Sequence, residues 1–277
     1  MTEVQSGERL RWGKHFLTTL LTFSLAPHYP WLLLAAIASM AILYSSVGHG
    51  GASGYLGAML LWGLSAAEMR PAALLMNITV TLWILTRLRN FVSARHEIFW
   101  PLVIASAPMA FVGGGIDIDG VTYKYLVAAT LIAAAIRLLT EAEQRPKVAR
   151  PSSNIVFLVG GGLGFLAGIS GIGGGVFLSP ILIICGWCST RESTLIAAGF
   201  ILLNSVSGLA GYMHSGHAFP VGTSWLVLAA FVGSVLGSEL AAKRASSEAL
   251  KKILSIVLLV AAVKMGYQLF GSNILAS

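Results

Sequence analysis

Charge is what this sequence lacks most. Its 277 residues include 18 basic and 11 acidic side chains, or 10% charged, where a soluble domain carries about 25%. The few charges are also clumped: no Asp, Glu, Lys or Arg occurs from His15 to Ala67, from Pro151 to Thr190, or from Ser193 to Ser238. A water-exposed surface is excluded over each of these stretches. Cysteine is scarce as well, and Cys185 and Cys188 alone cannot make a disulfide framework or fix a redox compartment. Paired carboxylates for acid–base work are missing, because Glu68, Glu97, Asp117, Asp119, Glu192, Glu239 and Glu248 all fall near the ends of apolar segments. That removes the intramembrane carboxylate that commonly marks a proton relay.

What is present is apolar. Hydrophobic residues make up 56% of the chain, and its mean hydropathy is +0.80. A bilayer-spanning helix needs about 20 apolar residues, so each charge-free stretch holds two spans, or one span and a re-entrant hairpin. The net charge of +7 sits in short loops, where the positive-inside rule accounts for it without an acidic partner. A soluble nucleic-acid binder is excluded. Residues 1–30 form an N-terminal segment with a basic region and a short apolar run at 15–26. Its acidic residues and missing small-residue cleavage site read as a retained segment that crosses or dips into the membrane.

Apolar segments fall near 31–47, 53–64, 71–88, 98–115 and 123–139, then near 155–170, 175–187, 193–213, 222–241 and 250–270. This predicts a transmembrane repeat over 31–140, a cytoplasmic linker over 141–154 and a second repeat over 155–277. Gly48-His49-Gly50-Gly51 falls over Gly171-Ile172-Gly173-Gly174, and Gly63 over Gly186. In each half the second segment is short and follows the glycine-rich break. Such duplication points to a transporter built from repeats, with its site at the breaks. Arg87, Arg89 and Arg95, the linker's Arg145, Lys147 and Arg150, and Lys243, Arg244, Lys251 and Lys252 mark cytoplasmic loops. The 116–120 and 212–217 loops belong outside. The expected fold is therefore all-α: a polytopic membrane protein with two inverted-topology repeats of about five segments each and Gly-broken or re-entrant helices at the centre.

The breaks carry the candidate site. Gly48, His49, Gly50, Gly51 and Ser53 in the first half, and Ser170, Gly173, Gly174 and Gly175 in the second, put irregular backbone in the membrane, which is tolerated only when buried in protein or lining a cavity. Backbone N–H groups at the starts of the following half-helices can hold a small anion without a formal cation. The alternative is close helix packing through small residues. His49 could donate to an anion or take a proton, or be a hydrogen-bonded structural residue. Asn77 and Asn204 lie deep in the third segments, either bonding between helices or touching substrate. Arg70 and Arg191 follow the short helices, where they either gate an anion or snorkel to the interface; Arg70 is taken as the gate.

The runs VGHGGASGYLGAMLLWG and MRPAALLMNITV, then Ser170-Gly171-Ile172-Gly173-Gly174-Gly175 with Pro180, and later Leu202-Leu203-Asn204-Ser205-Val206-Ser207-Gly208-Leu209, resemble the sulfite exporter TauE/SafE family, also called the toluenesulfonate uptake permease family. The likeness covers about residues 31–270. It implies transport of a small sulfur-containing anion, sulfite or an organosulfonate, across the bacterial inner membrane. Export by alternating access is the expected function, with uptake of a sulfonate or thiosulfate as the alternative. The partners expected are that anion and the lipid bilayer, with a homodimer among the assemblies open to such a bundle. No cofactor, metal or catalytic residue is expected. From another class, Gly168-Ile169-Ser170-Gly171 has the G-x-S-G form of an intramembrane serine protease nucleophile, and Cys185-Gly186-Trp187-Cys188 is a C-x-x-C. The protease reading leaves the duplicated glycines unexplained, and the cysteines read as packing residues rather than a thiol relay.

Overall fold

The computed structural model describes residues 29–46, 50–88, 96–140 and 151–243. Among them are nine helices and no strands: α1 Trp31–Ser46, α2 Ala52–Leu61, α3 Ala66–Leu88, α4 His96–Gly115, α5 Gly120–Thr140, α6 Ser153–Ser170, α7 Gly175–Ile184, α8 Thr190–His214 and α9 Thr223–Lys243. The first 28 residues, Gly48, His49, the linker and the expected tenth segment at 250–270 lie outside the described residues. Four helical stretches, Ala66–Arg87, His96–Gly115, Ser153–Ser170 and Glu192–His214, are long and apolar enough to cross a membrane. Large apolar side chains such as Trp31, Trp100, Ile104, Leu158, Leu228 and Leu236 face outward. A soluble monomer rarely exposes so many together; lipid satisfies them.

The two short helices have 10 residues each, about 15 Å at 1.5 Å per residue, or half the hydrocarbon thickness. They end alike. Gly63 and Gly186 take left-handed φ of 80° and 65°. In one turn Gly63 N–H donates to Leu60 O and Leu64 N–H to Met59 O; in the other Gly186 N–H donates to Ile183 O and Trp187 N–H to Leu182 O. Both are Schellman stops, in which glycine relieves the Cβ clash and the last carbonyls are satisfied. The next helix starts alike too. Glu192 reaches back to Ser189 N (2.8 Å) and Oγ (2.7 Å), while Ser189 Oγ accepts from Glu192 N–H, and Glu68 makes the same returns to Ser65 at 2.9 and 2.7 Å. Ser189→Ala is expected to cost about 1 kcal/mol through the lost cap, read as a small fall in melting temperature of the detergent-purified protein.

Helix pairing exchanges between the halves. α4 of the first half packs on α6 and α8; α9 of the second packs on α1 and α3. The closest crossings use small residues at four-residue steps. Gly160, Gly164 and Gly168 of α6 lie against the backbone of Leu102, Ser106 and Ala110, and Gly233 and Gly237 of α9 lie against Ala38 and Ile42. A Cβ at Gly160 would meet Leu102 O at 2.7 Å, so these glycines do the small-residue packing that membrane helices rely on. α3 and α8 cross at the centre. Between α3 and α9 Trp83 Nε1–H donates to Ser238 Oγ (3.0 Å) and Arg87 pairs with Glu239. The 116–120 and 212–217 loops, expected on one side, do lie together, with His217 Nε2 2.7 Å from Asp117 Oδ1. Between them, Asp119 Oδ1 caps α5 from Val121 N–H (3.0 Å) and Thr122 N–H (2.9 Å), and hydrogen bonds from Thr122 hold its carboxyl below the ordinary carboxylate range.

Candidate functional site: the glycine breaks at the helix crossing

The second break is built from three left-handed glycines. Gly171, Gly173 and Gly174 have φ of 80°, 77° and 75°, a conformation that costs other L-residues about 1–2 kcal/mol each. Gly171 closes α6 by donating to Ala167 O, and Ser170 Oγ donates to Leu166 O (2.5 Å) while accepting from Ile172 N–H (3.2 Å). The turn then points the chain into α7. Among the described residues nothing accepts from the N–H groups of Gly173, Gly174, Gly175 or Val176. The three glycines are buried and Val176 is nearly so. Buried backbone donors are normally paired, and the α7 dipole adds a partial positive charge at the same point.

Side chains of α3 and α8 face this turn. A Cβ on Gly173 would lie 2.8 Å from Ile201 Cγ2, 3.0 Å from Asn77 Nδ2 and 3.1 Å from Ser205 Oγ. Asn77 Nδ2 donates to Gly171 O (3.3 Å), so a first-half helix binds the second-half break. Asn77 Oδ1, Asn204 Oδ1 and Ser205 Oγ are buried and have no hydrogen-bond partner among the described residues. The first break arrives at the same place: a Cβ on Gly50 would meet Thr81 Cγ2 at 3.1 Å and Ile201 Cδ1 at 3.4 Å. Gly50 of the first cluster and Gly173 of the second, far apart in the chain, thus converge on one point between α3 and α8.

Of the residues the sequence singles out, Gly50, Asn77, Gly173, Gly174 and Gly175 are brought together here. Ser170 lies at the entrance to the turn, with its hydroxyl engaged in its own backbone. Ser53 is buried but bonded to Tyr44 OH (2.7 Å), Gly51 packs under the Tyr55 ring, and Asn204 Nδ2 donates to Phe200 O (2.8 Å) of its own helix. Gly48 and His49 lie outside the described residues. Ser205, Thr81 and Ile201 were missed by the sequence reading. The capping serines would have revealed them: aligning Ser65 and Glu68 with Ser189 and Glu192 sets Thr81 over Ser205 and Asn77 over Ile201.

Arg70 lies next to the break rather than at an open mouth. It is 5% exposed, and Gly171 lies against its backbone. Its guanidinium donates to Gly168 O (3.1 Å), Ile116 O (2.9 Å), Gly114 O (2.7 Å) and Gly113 O. It also sits 5.6 Å from the Tyr212 ring, a cation–π contact. One face of Arg70 floors a small open cleft of about 80 Å³, also lined by Asp117, Tyr123, Tyr212 and His217. Tyr123 OH donates to Ser170 O (2.9 Å), joining that cleft to the break.

The sulfite exporter TauE/SafE family profile matches residues 32–265, which takes in both breaks and every described helix. The chain belongs to the TauE/SafE family. A probable membrane transporter protein, y4hK, of Sinorhizobium fredii (strain NBRC 101917 / NGR234) is 28% identical over 240 residues, covering 84% of this chain and 96% of that one. No solved structure gives a significant match. The TauE/SafE assignment makes this a multi-pass membrane transporter, in keeping with helical spans in a bacterial inner membrane.

Proposed function

We propose that the protein exports a small sulfur-containing oxyanion, sulfite or an organosulfonate, and that the anion sits at the start of α7. The observation that carries this reading is the row of four N–H groups, Gly173 to Val176, the first three on buried residues, with no acceptor among the described residues. A helix N-terminus alone is a weak sign, but here a buried, unpartnered Ser205 hydroxyl and the Asn77 amide converge on the same turn. Oxyanion oxygens accept from such donors, and no formal cation is required. Gly50 and the other first-half residues form the opposite wall. Arg70 is the proposed gate between cleft and site: its clamp ties the ends of α4 and α6 together, so opening the cleft requires that clamp to move.

Inverted repeats fit the same reading. The α2 turn leads into Arg70 at the Gly113 end of α4, whereas the α7 turn packs through Trp187 and Leu182 with Ile98 and Leu102 at the other end. Two half-helices that leave one central point in opposite directions suit alternating access, with the halves rocking about a fixed site. A protease reading is not favoured, since the Ser170 hydroxyl is bonded locally while His214 makes a tilted ring contact with Phe111 and His217 stacks on Tyr212.

Membrane voltage supplies about 2.3 kcal/mol per charge per 100 mV, which drives an anion out of an inside-negative cell without ion coupling. In proteoliposomes under a potassium-diffusion potential, sulfite flux is expected to rise with voltage and be indifferent to a proton gradient. The reverse dependence overturns this mechanism and makes His49 the leading proton carrier. Ser205→Ala is expected to weaken sulfite binding by about tenfold, one lost hydrogen bond to a charged group, with the fold intact by circular dichroism.

A further inference from the structure

We propose that Ile201 sets the size of the anion that the α7 break accepts, an inference that rests on reading that break as the binding site. In the register fixed by the two capping serines, Ile201 holds on α8 the place that Asn77 holds on α3. The two halves therefore differ where they should match: one contributes an amide, the other a branched alkyl group. That group reaches both breaks. A Cβ on Gly50 would lie 3.4 Å from Ile201 Cδ1 and one on Gly173 2.8 Å from Cγ2, while one on Gly175 would lie 2.5 Å from Cγ1 and overlap Cδ1. The Thr81 methyl, 3.1 Å from the Gly50 position, extends the same apolar wall.

The side chain is 2% exposed and β-branched, so in a helix it has one strongly preferred χ1 and cannot swing aside as Leu or Met would. The site thus has donors on one side, the N–H groups of Gly173 to Val176 and the Ser205 hydroxyl, and a stiff wall on the other. The oxygens of a bound anion meet the donors; whatever the anion carries beyond its oxygens meets Ile201. A compact oxyanion is accommodated, and an alkyl chain of several carbons collides.

The test measures thermal shifts of purified wild-type, Ile201→Val and Ile201→Ala proteins over concentration series of sulfite, methanesulfonate and propane-1-sulfonate, since a ligand selective for the folded state raises apparent stability with the logarithm of its concentration over Kd. The wild type should respond to sulfite and least to propane-1-sulfonate. The propane-1-sulfonate to sulfite affinity ratio should rise in Ile201→Val and further in Ile201→Ala, by about tenfold or more per carbon of space opened. If Ile201→Ala does not fold, Ile201→Val carries the comparison. Leu182→Ala, a buried truncation among Phe200, Trp187 and Ile98, loosens packing elsewhere and should leave the ratio unchanged. Unchanged ratios in the Ile201 variants, or an equal rise in Leu182→Ala, overturn the filter while leaving the site in place. A wild type that responds to none of the three anions overturns the site itself, and the filter with it.

Discussion

Arg70→Met is expected to destabilise the fold severely, with much of the protein lost from the folded state. The guanidinium donates to four carbonyls, three of them in fully buried hydrogen bonds. Two of those carbonyls, on Gly113 and Gly114, belong to the last turn of α4, where no intrahelical donor exists. Methionine fills similar volume and removes these donors, leaving Gly113 O with a long bond from Ile116 N–H (3.4 Å). At about 1–3 kcal/mol for each unsatisfied group, the loss is on the order of 5 kcal/mol, comparable with the whole stability of many domains. Arg70→Lys should fall between, because an ammonium offers three donors from one point and cannot match a planar fork spread over two helix ends. Tryptophan fluorescence melts of the detergent-purified variants give the order directly. Equal melting temperatures for wild type and Arg70→Met would show that the clamp contributes nothing.

Gly173→Ala is expected to abolish transport, with flux down at least a hundredfold, while Gly63→Ala leaves it near wild type. Both residues sit at left-handed φ, 77° and 80°, so both changes carry the same backbone cost of about 1–2 kcal/mol. Their surroundings differ. A Cβ at Gly63 meets nothing within 4 Å, whereas one at Gly173 lies 2.8 Å from Ile201, 3.0 Å from Asn77 and 3.1 Å from Ser205. The pair therefore separates strain from obstruction. Proteoliposome flux, normalised to folded protein, should fall for Gly173→Ala alone. Equal loss in both would mean that the glycines are needed only for their backbone conformation.

The architecture was legible in the sequence because long charge-free runs have few places to go but a bilayer, and because left-handed glycines punctuate both halves alike. Segment ends came within a few residues of the helices, and where they missed, the cause was local. The third segments begin earlier than hydropathy suggests, at Ala66 and Thr190, because Glu68 and Glu192 are capping residues that interrupt the apolar run without interrupting the helix. Asn77 and the second glycine cluster stood out as polar or flexible residues in an apolar run. Ile201 carries no signal by itself as an isoleucine among apolar residues; its register with Asn77, set by the capping serines, is the one trace it leaves in the sequence. For Arg70 the sequence offers its place after a short helix, but not its clamp: the carbonyls it serves come from α4, α6 and the loop after α4, at separations no local pattern encodes.

In the function proposed, the transported oxyanion sits on backbone N–H groups at the start of α7 that have no acceptor among the described residues. Selenite has the shape and charge of sulfite and an anomalous scatterer at its centre. In crystals of the protein grown with selenite, the account predicts an anomalous selenium peak within hydrogen-bonding range of the Gly173 to Val176 N–H groups and the Ser205 hydroxyl. A peak confined to the Arg70 cleft, or those N–H groups paired with protein acceptors and no selenium beside them, would contradict it.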